Sequence, residues 1–312
     1  MAEFGKIVVT GAAGLVGQNL IQRLIRAGAR DIVAIDKNAH NAAILERLQP
    51  GVDVVVADLA ADSGWENKLD GCEALIVGHA QIGGLDPGEF VRNNISATQR
   101  LMDAAASRSI PYLVNISSSV VNSMAVDDYT ETKKAQEALV LGYGIPQVVL
   151  RPTLMFGWFD RKHVGWLARF MEKTPVFPIP GSGRYLRQPL YAGDFCEVIV
   201  ASVERRIQGA YNITGQERID YIDLIRALKA ATGSRTPIVR VPYGAFWLML
   251  KAYGLVSSNP PFTTKQLKAL ATPDIFEVID WPGIFGVRPT PLREALDETF
   301  GHPDYAKVAL QF

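Results

Sequence analysis

The residues best placed to do chemistry are Tyr129 and Lys133, in the stretch Tyr129-Thr-Glu-Thr-Lys133. On a helix, side chains four apart share a face, so a phenol and an ammonium at this spacing lie side by side. A phenol ordinarily releases its proton at a pKa of about 10, which makes it a poor base at neutral pH. A fixed cation beside it favours the phenolate and makes the pair an acid/base device for a hydroxyl-bearing or carbonyl carbon. The same spacing is common on plain solvated helix faces, so its meaning depends on the elements that position it.

Those elements begin at the N-terminus. Lys6-Ile-Val-Val-Thr10 is a β-rich run, followed by Gly11-Ala-Ala-Gly14-Leu15-Val16-Gly17 and a helix-like stretch from Gln18 to Ala27. Glycines in a strand–turn–helix unit let the backbone turn tightly and approach a pyrophosphate. The helix N-terminus adds N–H donors and the positive end of its dipole. Asp36 closes the second strand 19 residues after Gly17, near the interval of about 20 expected for a ribose-binding acid. A carboxylate there accepts from ribose hydroxyls and repels a 2′-phosphate, which favours NAD over NADP; the neighbouring Lys37 pulls the other way. Asp58-Leu59 closes the third strand, where the acid either meets an adenine edge or caps a helix.

Composition bounds the alternatives. The 312 residues suit a nucleotide-binding domain with a substrate-binding addition. Lysine plus arginine equals aspartate plus glutamate at 32 each, so no global charge draws nucleic acid or an acidic membrane. Cys72 and Cys196 are the only cysteines, which argues for a reducing compartment and against a zinc site. The first residues lead straight into a strand, leaving no room for a signal peptide and pointing to the cytoplasm. The apolar run from Ala245 to Val256, broken by Lys251, is too short to span a bilayer. It reads as a buried helix or one bordering an apolar pocket, with contact at a membrane interface as the alternative.

The first half alternates strand and helix signals. Further strands are expected at Asp31–Asp36, Val52–Ala57, Ala74–Val77, Tyr112–Ile116 and Gln147–Leu150, with helices at Ala42–Leu48, Asn93–Ser107 and Tyr129–Leu141. Near-continuous apolar strands separated by helices imply a parallel sheet covered on both faces. The expected fold class is α/β, a Rossmann-type doubly wound parallel sheet with a smaller, mainly helical C-terminal lobe. The domain reading is 1–152 for dinucleotide binding, with a return segment near 187–206, and 153–312 for substrate.

Taken together these residues resemble the extended short-chain dehydrogenase/reductase family, in its NAD-dependent epimerase/dehydratase branch, over most of the chain. Thr10–Gly17 matches the family's glycine loop, Asp58-Leu59 its adenine-contacting pair, and Gly78-His79-Ala80 its segment after the fourth strand. Asn94-Ile-Ser-Ala-Thr98 resembles a family helix start, Arg151-Pro152 the approach to the nicotinamide pocket, and Gly181–Arg187 with Asp194-Phe195 the stretch contributing a diphosphate-binding arginine. The resemblance implies a triad. Tyr129 is the acid/base, Lys133 binds nicotinamide-ribose hydroxyls and lowers the tyrosine pKa, and Ser119 hydrogen-bonds the reacting oxygen, with Ser118 taking that place if the register differs by one. The implied NAD site comprises Gly11, Gly14, Leu15, Val16, Gly17, Asp36, Asp58, Leu59, Gly78, His79, Ala80, Asn94, Tyr129, Lys133 and Pro152. The implied substrate contacts are Ser119, Thr153 and Arg187. His79 is read as packing beside the cofactor; no metal site is assigned.

Two departures narrow the reading. Nine residues separate Ser119 from Tyr129, fewer than the family usually carries. Val120-Val121 stands where 4,6-dehydratases place an Asp-Glu pair, so dehydration is rejected. Three functions stay open: an NAD-dependent nucleotide-sugar epimerase first, then a dehydrogenase/reductase of an apolar alcohol or ketone, then a redox-inactive nucleotide-binding subunit. The resemblance also implies a homodimer through Asn93–Ser107 and Tyr129–Leu141.

Overall fold

The computed structural model describes residues 4–124, 126–256, 264–271 and 275–311. Its first half runs β1 (Lys6–Thr10), α1 (Leu15–Ala27), β2 (Ile32–Asp36), α2 (Ala39–Leu48), β3 (Asp53–Val56), β4 (Cys72–Val77), α3 (Pro87–Phe90), α4 (Ala97–Ser107), β5 (Leu113–Ile116), α5 (Asp128–Gly142) and β6 (Gln147–Pro152). Short strands β7 (Met155–Phe156), β8 (Phe177–Pro180), β9 (Leu186–Arg187) and β10 (Leu190–Tyr191) follow, interleaved with α6 (Val164–Lys173). Then come α7 (Ala192–Arg205), β11 (Gly209–Ile213), β12 (Ile219–Asp220), α8 (Tyr221–Thr232) and β13 (Ile238–Val241). Helices α9 (Tyr243–Val256), α10 (Thr264–Ala271), α11 (Trp281–Phe285) and α12 (Leu292–Gly301) complete the described chain.

Seven parallel strands form the main sheet in the order β11-β6-β5-β4-β1-β2-β3. The order reverses between β1 and β4, which opens a crevice at their C-terminal ends, where open α/β sheets bind ligands. Strands rich in Val, Ile and Leu are buried on both sides, so two apolar cores form, one per face. Leu20, Ile21 and Leu24 of α1 serve one core, and Leu101, Met102 and Val140 of α4 and α5 the other.

Residues beyond 152 return to this sheet. Helix α7 lies against α1, and β11 pairs in parallel with β6 as a seventh strand. The sequence reading had placed no strand at Gly209–Ile213; with glycine, alanine and asparagine it lacks the unbroken apolar run of the inner strands. Helix Asn93–Ser107 also starts differently, because Val91–Ser96 is a π-helical turn between α3 and α4.

The second half has its own core of Phe156, Met171, Phe177, Ile225, Leu228 and Leu296, among others. Arg23 of α1 joins the halves. It is 4% exposed, with its guanidinium 4.7 Å from the Trp158 ring centroid and 3.5 Å from both Glu197 and Glu298. The C-terminal tail then crosses back to α2. Gln311 N donates to Asn41 Oδ1 and Asn41 Nδ2 donates to Gln311 O, each at 2.8 Å. Trp158, Phe159, Tyr305 and Leu310 seal that crossing.

Helix α9 takes the second of its two expected settings, with Tyr243, Gly244 and Trp247 bordering a groove. Phe246 is buried, but Trp247, Leu248 and Met249 are exposed, so the helix is not enclosed.

Trp281 is fully buried and donates its indole N–H to Thr214 O at 2.8 Å. Trp281→Ala leaves a cavity and an unpaired carbonyl, with an expected cost of about 3–5 kcal/mol. A fall in the urea midpoint with unchanged m-value checks it.

Candidate active site

The crevice at the sheet's order reversal is floored by the glycine loop. Gly11 has φ of 65°, and a Cβ there would lie 2.7 Å from Gly78 O, so the ends of β1 and β4 approach as only glycine allows. At Gly17 a Cβ would sit 2.4 Å from Ala12 O. Helix α1 is capped by Gly14, with no side-chain cap and no acid in its first turn. The N–H groups of Leu15, Val16 and Gly17 therefore lack a side-chain acceptor, as an anion-binding helix start requires.

Asp36 supports this loop from β2. Its Oδ2 accepts from Ala13 N and its Oδ1 from Asn38 N, both at 2.9 Å. Burial pushes its pKa up, while those N–H groups and Lys37 oppose the shift. The rest of its acceptor capacity stays open for ribose hydroxyls. Lys37 reaches Glu89 at 4.0 Å, which offsets the cation that could have welcomed a 2′-phosphate. Asp58 takes the capping role: Oδ1 accepts from Ala60 N at 2.9 Å, and Oδ2 pairs with Arg92 at 2.6 Å. Leu59 beside it is buried, and Ala80 is exposed. The loop, the uncapped helix start and the acid fit an NAD pyrophosphate and ribose.

On the other side of the crevice, α5 delivers Tyr129 and Lys133. Its start is fixed by Asp127, which accepts from Thr130 N at 2.9 Å and Thr130 Oγ1 at 2.8 Å. Lys133 is 1% exposed, and its ammonium donates to Ile116 O at 3.1 Å and to Gln136 Oε1 at 2.5 Å. From Gln136 a buried chain of hydrogen bonds runs inward. Gln136 Nε2 donates to Thr98 Oγ1 at 2.9 Å, Thr98 meets His79 Nε2 at 2.9 Å, and His79 Nδ1 meets Thr10 Oγ1 at 2.9 Å. Thr10 in turn donates to Ile76 O at 3.2 Å.

Counting protons fixes the directions. Thr10 has one proton and gives it to Ile76, so His79 Nδ1–H must donate to Thr10. Thr98 then donates to an unprotonated Nε2. The ring is neutral, and its pKa is pushed down to about 3 by burial and by the charges of Lys133 and Lys37. Burial likewise lowers Lys133 to about 8, with Glu137 opposing.

The expected lowering of the Tyr129 pKa by Lys133 is not what the chain shows. Burial holds the phenol above its ordinary value, opposed by a hydrogen bond from Ser118 and reinforced by Asp127. The ammonium is turned toward Gln136 and Ile116 instead. Ser118, the alternative to Ser119, is the serine whose hydroxyl acts on the phenol. Ser118 Oγ accepts from Val120 N at 3.4 Å, which leaves its proton for the phenol oxygen. The 3-10 turn Ser119–Asn122 starts one residue after it, with Ser118 as its N-cap.

Asn94, expected at the cofactor, is fully buried and engaged by protein. Its Oδ1 accepts from Gln81 N at 2.6 Å, and its Nδ2 donates to Gln81 O at 3.2 Å and Thr132 Oγ1 at 2.9 Å. It ties the segment after β4 to α5. Pro152 is buried at the end of β6. The Thr153 hydroxyl, 4% exposed, has no partner among the described residues. Arg187 on β9 donates to Leu186 O at 3.2 Å and also to Leu270 O in α10. Sequence reasoning missed Gln136 and Glu137. Glu137 accepts from Ser117 Oγ at 2.5 Å and holds Arg151 in a forked pair. The available signal was helical spacing, since both follow Lys133 by three and four residues.

The comparisons with known proteins follow this geometry. The profile of the NAD dependent epimerase/dehydratase family matches residues 7–214. The chain belongs to that family. A ketoreductase of Stigmatella aurantiaca, acting on 4-hydroxy-2-methyl-3-oxo-4-farnesyl-3,4-dihydroquinoline-1-oxide, is 25% identical over 260 residues, covering 76% of each chain. The UDP-glucose epimerase YtcB of Bacillus subtilis (strain 168), described as uncharacterized, is 26% identical over 272 residues, 75% of this chain and 84% of that one. The crystal structure of UDP-glucuronic acid 4-epimerase from Bacillus cereus with NAD superimposes with a TM-score of 0.73 at 23% identity, over 95% of this chain and 98% of that one. The family is NAD-dependent, and the fold is that of its sugar-nucleotide members.

Two measurements check this site. Ser118→Ala lowers turnover by roughly 10²–10⁴-fold while Ser119→Ala changes it only a few-fold, the ordinary range for a lost proton-handling contact. The second concerns stability. Lys133 has a folded pKa of about 8 against an ordinary 10.5, so the unfolded chain binds more protons between these values and stability rises with pH across that window. Relative to Lys133→Met, the wild type therefore gains on the order of 3 kcal/mol between pH 8 and 10.5. Paired urea titrations across this range read the difference.

Proposed function

We propose that this protein is an NAD-dependent nucleotide-sugar epimerase. What supports it is Tyr129 and Lys133 on one helix with Ser118 acting on the phenol, and Val120-Val121 standing where an elimination needs acids. Bound NAD supplies the hydride acceptor and, in the return step, the donor. Tyr129 takes the proton of a sugar hydroxyl as its carbon is oxidised to a ketone, and returns a proton when the opposite face is reduced. Ser118 holds the reacting oxygen by donating to it. Lys133, kept in place by Gln136, orients the ribose hydroxyls. Thr153 offers a hydroxyl with no partner among the described residues, and Arg187 supplies the cation for a diphosphate. Near-full-length similarity to a UDP-sugar 4-epimerase supports the reading. A cytoplasmic homodimer through α4 and α5 belongs to the same proposal.

A second reading, net reduction or oxidation of an apolar alcohol or ketone, is favoured by the crevice rim. Ile82, Leu85, Met124, Val126 and Leu154, in the loops after β4, β5 and β6, are exposed. The farnesyl-quinoline ketoreductase among the relatives points the same way.

Incubation with UDP-glucose and UDP-glucuronic acid separates the two. The expected result is a C4-epimer seen by NMR, with no net NADH formed and with loss of activity in Tyr129→Phe. Net, stoichiometric NADH turnover with a hydrophobic alcohol and no epimer would replace the first reading with the second.

A further inference from the structure

The charge of this neutral chain is unevenly distributed. From residue 224 to 273 there is no aspartate or glutamate, while seven lysines and arginines occur there. Helix α9 lies in the middle of this stretch. It has no acid in its first turn, and its segment YGAFWLMLKAYGLV carries Lys251 as its one charge.

The side chains of α9 are divided by exposure. Phe246 turns inward and is 9% exposed, whereas Leu248 and Met249 are each 61% exposed and Trp247 and Tyr243 each 39%. Lys251 lies over the Trp247 ring, 5.0 Å from its centroid, so the ammonium covers the indole. Helix α10 runs alongside, and an open groove of about 500 Å³ between them is lined by Tyr243, Gly244, Trp247, Thr264 and Lys268.

Trp247, Leu248 and Met249 are consecutive, so they fan over more than half of the helix circumference. A partner helix is met by a stripe at spacings of three and four, not by such a fan. No helix among the described residues is long and apolar enough to cross a membrane. A short helix with an outer apolar face, aromatic residues at its margin, snorkelling lysine and no acid matches shallow insertion at an anionic lipid surface. We propose that α9, with the basic stretch around it, docks this protein onto an anionic bilayer surface. Leu248 and Met249 enter the acyl boundary, Trp247 and Tyr243 lie at the headgroup level, and Lys251 and Arg240 meet lipid phosphates. The same surface adjoins the substrate half of the crevice, since the α10 carbonyl of Leu270 accepts from Arg187.

The test is co-sedimentation of the full-length protein with phosphatidylcholine vesicles, with and without about one third phosphatidylglycerol. The expected result is binding only to the anionic vesicles, weakened by high salt, and about tenfold less binding for the Leu248→Asp/Met249→Asp double variant. Charge reversal at Arg240→Glu and Lys251→Glu, on exposed side chains, is expected to weaken binding as well and serves if the double variant fails to fold by circular dichroism. Equal sedimentation of wild type and both variants, or no vesicle binding by the wild type, overturns the proposal. So does a wild-type oligomer that the double variant dissociates while vesicles are ignored, which would assign the face to a second copy. Epimerase activity on soluble UDP-sugars is expected to persist in every variant, so failure here is distinguishable from failure of the catalytic reading.

Discussion

A buried cation organises the active half of this molecule. Placing the Lys133 ammonium in the interior costs several kcal/mol unless its hydrogens find acceptors. The chain meets that demand with the Ile116 carbonyl and with Gln136, whose own amide must then be satisfied from Thr98 and the His79 carbonyl. Each partner passes the requirement inward until it ends at the Ile76 carbonyl inside the sheet. Helix α5 is thereby locked to β1, β4 and β5 by polar contacts with a fixed direction, where apolar packing alone would tolerate a small slide.

The same helix is held from a second side. Glu137 lies just beyond Gln136, and although burial pushes its pKa up, Arg151 and Ser117 hold it below its ordinary value. Asn94 adds a third tie from the π-helical turn, where one extra residue per turn lets the amide face Gln81 and Thr132 together. Tyr129 and Ser118 thus stand at the end of a rigid assembly and need few contacts of their own. Preorganisation of this kind is what makes a proton-transferring group effective.

Much of this was legible in the residues. The parallel strands were visible because burial on both faces demands continuous apolar runs, and the glycine loop because only glycine tolerates the approach of Gly11 to Gly78. Asp36 was placed by its distance along the chain. What the sequence hid was of two kinds. Strand β11 completes the sheet with weakly apolar residues, because an edge position faces less packing. The Ser118 register depends on where a 3-10 turn begins, which three consecutive serines cannot reveal. The state of the phenol was hidden for a related reason: a four-residue spacing sets which face a lysine shares, and not where its ammonium points.

The Gln311–Asn41 tie has a mechanical meaning. The chain leaves the sheet after β6, returns to it through α7 and β11, and its tail is fastened to α2. A flap attached along one seam can swing wide, but a plate attached along two can only bow or shear. A hinge opening at β6 alone would have to break these two hydrogen bonds.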